Sequence, residues 1–136
     1  MRKKQIMLIH NVPILDAGRW ELVFPEFGFV ISASLKEAQI ELSKRPIDLI
    51  LIDNRVFDAG FSSFGKLLSS TYPEIGMMVV TKEQEKLLNI SAIPIHGWLD
   101  YPLQPDQMWV QISAYFRGLG ITIVEQGDDY LVPILE

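Results

Sequence analysis

The sequence predicts one α/β domain, a doubly wound, five-stranded parallel sheet with helices on both faces and a short β-hairpin extension at the C-terminus. Short apolar runs alternate with segments of helical length, which is the order of βαβ units. The runs lack polar alternation, as strands do when both faces are covered. A length of 136 residues with 49% hydrophobic side chains is one domain's worth of chain, with ample apolar surface for a core.

Gln5 to His10, "QIMLIH", is the first predicted strand. Asn11 and Pro13 then supply a capping side chain and a pre-set φ angle for a helix from about Ile14 to Phe24, which stops before Pro25. Phe29 to Ser32 is the second strand. Ser34 to Arg45, "SLKEAQIELSKR", is a helix with Ser34 as its cap, Glu37 at the capping-box position and Pro46 as its stop. Leu35, Ala38, Ile40 and Leu42 form its predicted buried side.

Ile47 to Ile52 is the central strand. A helix follows from about Phe61 to Thr71, then a strand from Gly76 to Val80, a short charged helix from Lys82 to Leu88 and a fifth strand from Ile95 to Leu99. Pro102 and Pro105 frame the entry to a last helix, Asp106 to Arg117, with an inward stripe of Met108, Ile112, Tyr115 and Leu119. Parallel connections of this kind are right-handed crossovers. The pattern breaks in residues 121–136, where Ile121 to Glu125 and Tyr130 to Leu135 flank a Gly127-Asp128-Asp129 turn. The domain proper is thus residues 1–120. A two-stranded ribbon is marginal alone, so the tail must pack on the domain, pair with another chain or begin a further domain.

Composition excludes several functions. The net charge of -5 argues against a nucleic-acid surface, and the one basic cluster is Arg2-Lys3-Lys4. No apolar run approaches the roughly 20 residues that span a bilayer, and the first run is too short for a signal peptide, so the chain reads as cytoplasmic. Without cysteine, and with two well-separated histidines, neither disulfides nor a zinc centre is expected.

The chemistry concentrates in "DLILIDNRVFDAGF", Asp48 to Phe61, where Asp53 stands at the carboxyl end of the central strand. In open parallel sheets, ligand and reaction sites lie just beyond those ends. Asp53 in "LILIDNRVFDAG", Thr81 in "GMMVVTKE", and Trp98 with Pro102 in "HGWLDYPLQP" together resemble response-regulator receiver domains from about Gln5 to Arg117. The resemblance implies the strand order 2-1-3-4-5 and a phospho-acceptor at Asp53, served by a histidine kinase and by Mg²⁺ held partly by an acidic pair ending the first strand. It also implies a switching hydroxyl at Thr81 and a switching aromatic at Trp98.

This chain departs from that pattern. His10-Asn11 replaces the acidic pair, which removes the hard anionic oxygens that Mg²⁺ prefers. Tyr101 stands where the family has a lysine, and a phenol supplies no fixed positive charge. The proline usual after the acceptor is missing from "NRVFDAG". The resemblance is therefore to a degenerate or pseudo-receiver that signals by protein–protein contact with a kinase or another signalling protein, with phosphorylation impaired and Mg²⁺ bound only weakly. The alternative is a phosphorylation-competent regulator in which Asp58 or backbone carbonyls replace the lost ligands.

Other roles weigh against these. Asp53 can simply cap loop amides, His10 can be a neutral strand-end side chain, Asn11 is a good helix cap, and Thr81 suits a strand. An enzyme or nucleotide binder is disfavoured, because "HNVPILDAG" has no glycine-rich phosphate loop and the strand ends offer no nucleophile, base and orienter. Trp98 and Trp109 are expected to share an interaction face formed by the fourth helix, the fifth strand and the last helix. With the β-rich tail, that face predicts a homodimer.

Overall fold

The computed structural model describes residues 3–10, 17–56, 60–81, 95–100 and 103–118. The predicted charged helix and the C-terminal hairpin lie outside these residues, as do Asn11, Asp58 and Tyr101. The chain forms β1 (Lys4–Ile9), α1 (Ala17–Val23), β2 (Phe27–Ser32), α2 (Leu35–Lys44), β3 (Leu49–Asp53), α3 (Phe61–Thr71), β4 (Gly76–Thr81), β5 (Gly97–Asp100) and α4 (Pro105–Gly118). The sheet is wholly parallel, in the order β2-β1-β3-β4-β5. This is the predicted fold. Among the described residues no helix is long and apolar enough to cross a membrane.

Strand residues alternate between two cores. Met7, Ile9, Ile50, Ile52, Met77 and Val79 face α2 and α3, which supply Leu35, Ala38, Leu42, Phe64 and Leu68. Ile6, Leu8, Leu49, Leu51, Met78 and Val80 face α1 and α4, which supply Trp20, Met108, Ile112 and Phe116, with Phe24 joining from just after α1. Both faces being covered, β3 and β4 are buried at every position.

Capping follows the sequence at α2. Ser34 Oγ accepts from Glu37 N at 3.2 Å, while Glu37 Oε1 accepts from Ala33 N at 3.2 Å, one residue before the cap. Ile40 is a correction: it is 46% exposed, whereas Leu35, Ala38 and Leu42 are buried. Its angular position lies away from those three, and the apolar stripe does not extend to it. β2 begins at Phe27, two residues earlier than predicted, because Phe27 and Gly28 pair with Lys4 and Gln5. Glu21 Oε2 accepts from Phe29 N at 3.0 Å, so a side chain of α1 occupies a donor of this edge strand.

In α4 the buried set is Met108, Ile112, Ser113 and Phe116, and Tyr115 is only partly buried, a correction to the predicted stripe. Tyr115 lies edge-on to His96, with ring centroids 5.4 Å apart, and close against Gly76, where a Cβ would collide with its ring. Burial, then the negative charge of Asp48, pushes its phenol pKa up, and a backbone hydrogen bond with Gly76 acts in the opposite direction. A raised folded-state pKa means that stability is fully present below pH about 10, the ordinary phenol value, and is lost as pH rises through the folded value. Tyr115→Phe is expected to flatten the alkaline fall in the urea midpoint. An unchanged slope above pH about 10 would contradict this assignment.

Candidate functional site

The carboxyl ends of the strands gather the polar groups. In register, Ile9 stands beside Ser32 and Ile52, Asp53 beside Val80, and Thr81 beside Asp100. His10, immediately after β1, donates its N–H to the Ser32 carbonyl at 3.0 Å. The ends of β1, β3 and β4 thus border one recess of about 10 Å³, lined by Leu8, His10, Leu51, Asp53, Val80 and Leu103. That is room for about one water molecule.

Asp53 is 4% exposed, so its carboxylate needs partners. They come from two residues further on. Asn54–Val56 forms a 3₁₀ turn directly after β3, which brings Arg55 N to Asp53 Oδ1 at 2.9 Å, an aspartate turn of the ordinary kind. The Arg55 side chain then folds back. Its Nε lies 3.0 Å from Oδ1 and 3.2 Å from Oδ2, and its Nη2 lies 2.6 Å from Oδ2. Both carboxylate oxygens are therefore held by one planar guanidinium, the strongest pairing a carboxylate makes with a side chain.

The other predicted residues fall as follows. Thr81 is buried at the end of β4, on the strand neighbouring that of Asp53. His10 borders the same recess, and neither of its buried ring nitrogens has a hydrogen-bond partner. Trp98 is half-buried on β5, opposite Val79, and packs on the core facing α2 and α3. Trp109 packs on the opposite core, stacked on Phe24 at 6.4 Å and 14° and 6.4 Å from Phe27. The expected shared tryptophan face is thus corrected: the sheet separates the two indoles, because α4 turns Trp109 toward α1 and β2. A dimer argued from their adjacency loses that support.

Mg²⁺, which the resemblance implies, does not fit the described residues. It needs several hard oxygens. Asp53 is the one carboxylate among the described residues that line the recess, and both its oxygens are engaged by Arg55. His10 brings ring nitrogens and no hard oxygen. Arg55 is the residue that sequence reasoning missed. The signal was present in "DNR", a strand-end aspartate with a cation two residues later, but its use depends on the turn that follows.

No protein-family description matches the chain, and no curated protein matches it in sequence. Solved structures do match. The signal receiver domain of an HD domain-containing protein from Pseudomonas fluorescens Pf-5 is similar at TM-score 0.70 and 13% identity, over 88% of this chain and 91% of that one. The chemotaxis response regulator CheY4 of Vibrio cholerae is similar at TM-score 0.70 and 19% identity, over 83% and 98%. The anti-anti-sigma factor PhyR from Bartonella quintana is similar at TM-score 0.66 and 21% identity, over 88% of this chain and 51% of that protein. The chain has the fold of response-regulator receiver domains.

Proposed function

We propose that this chain is a receiver-type signalling module that works through protein–protein contact, with phosphorylation of Asp53 impaired. The observation that carries the reading is the Asp53–Arg55 pair: the carboxylate at the receiver acceptor position is buried and both its oxygens are already bound. His10 beside it, an imidazole in place of a carboxylate, supports the same reading, since phosphoryl transfer depends chiefly on electrostatic support from metal and fixed charge. Its partners are proteins, a histidine kinase or another signalling protein. The contact surface proposed is the edge strand β5 with half-buried Trp98, whose indole joins an apolar body to a polar N–H.

The test combines acetyl phosphate with Mg²⁺ and intact-mass detection. Wild type is expected to show no phosphoryl adduct above that of Asp53→Asn, and Asp53→Asn is expected to leave partner binding unchanged. Stoichiometric labelling that disappears in Asp53→Asn would favour the phosphorylation-competent alternative instead.

A further inference from the structure

Charge at the Asp53 site is balanced from within. A buried carboxylate is costly unless a cation lies beside it, and that cation can be a dissolved metal ion or a side chain. Here the side chain is Arg55, whose guanidinium stays protonated at any ordinary pH and whose planar fork matches the two carboxylate oxygens. It is tethered two residues away, so it competes against dissolved ions at high effective concentration. The backbone adds to its hold, because the same turn that aims the side chain also places Arg55 N on Oδ1. The Arg55 side chain is 41% exposed while that of Asp53 is 5% exposed, so the pair joins a buried carboxylate to a cation that reaches solvent. A divalent cation reaching Asp53 from solvent must displace the arginine or share the carboxylate with it against like-charge repulsion.

We propose that Arg55 is the resident cation of this site and closes the Asp53 carboxylate to divalent metal ions. This rests on the reading of the site as phosphorylation-impaired, and it specifies how the impairment is maintained. Removing the guanidinium leaves a buried, uncompensated carboxylate, which then has to take a proton or a cation from solvent.

Mn²⁺ is the probe, titrated into the full chain and followed by calorimetry and by paramagnetic broadening of the amide signals of His10, Asp53 and residue 55. Arg55→Met keeps the length of the stem and removes the charge. It is expected to bind Mn²⁺ at least tenfold more tightly than wild type, with broadening centred on Asp53 and a melting temperature that rises with Mn²⁺. The gain is expected to vanish in Arg55→Met combined with Asp53→Asn. Arg55→Lys retains the charge but loses the two-oxygen grip, and it is expected to show a smaller gain in the same direction, which keeps the test available if the methionine variant folds poorly. Equal Mn²⁺ affinity in wild type and the Arg55 variants, or a gain that survives Asp53→Asn, would overturn the inference. Acetyl phosphate labelling of wild type tests the functional reading separately: labelling with a tenfold Mn²⁺ gain in Arg55→Met would refute that reading and leave Arg55 as the resident cation.

Discussion

Phe64→Ala is expected to destabilise the fold by about 4 kcal/mol, within the range of about 3–5 kcal/mol typical of deleting a buried aromatic. Phe64 has no exposed surface and lies in the core between α3 and the sheet, with Ile50, Ile52, Met77 and Val79 in the same cluster. Its loss removes the transfer free energy of a ring and leaves a void that the rigid strands beneath cannot fill. A domain of this size has about 5–15 kcal/mol in total, so the variant should unfold at a much lower urea concentration. Val110→Ala, at a side 58% exposed on α4, is the control and should change stability by no more than about 0.5 kcal/mol. A Phe64→Ala midpoint close to wild type would mean that the α3 face of the core is misassigned.

His10→Asp combined with Asn11→Asp is expected to raise Mg²⁺ affinity by at least an order of magnitude, or about 1.4 kcal/mol. Among the described residues of the wild type, the recess holds one carboxylate, paired with the Arg55 guanidinium, and the imidazole of His10 lies at its rim. Two added carboxylates, at residue 10 and at the next position in sequence, would supply hard oxygens and a net negative charge, so that Arg55 no longer suffices to balance the site and Mg²⁺ gains ligands that offset its dehydration. Without the ion, the added charges repel Asp53, so the variant should also be less stable in chelator than in Mg²⁺. Calorimetric titration and chelator-dependent melting give the two readouts. Tight Mg²⁺ binding by wild type, or no change in the variant, would show that the first-strand residues do not control the site.

Much of this was legible in the chain. Unbroken apolar runs marked strands covered on both faces, and the bounds of α3 and the cap at Ser34 agree with the structure because both depend on neighbours within a few residues. Placing Asp53 at a strand end needed only the run "LILI" before it and the rule that sites follow strand ends. Other features were decided only by packing. Periodicity reports the inward side of an element, but not which element meets it: Trp109 stacks on Phe24, 85 positions earlier, because crossovers bring α4 beside α1. Tyr115 is perturbed first by its burial and then by Asp48 and Gly76, which belong to other units of the fold. The Asp53–Arg55 pair spans only two residues, yet it forms because Asp53 is desolvated by the surrounding sheet, and burial turns a weak local attraction into an obligatory one.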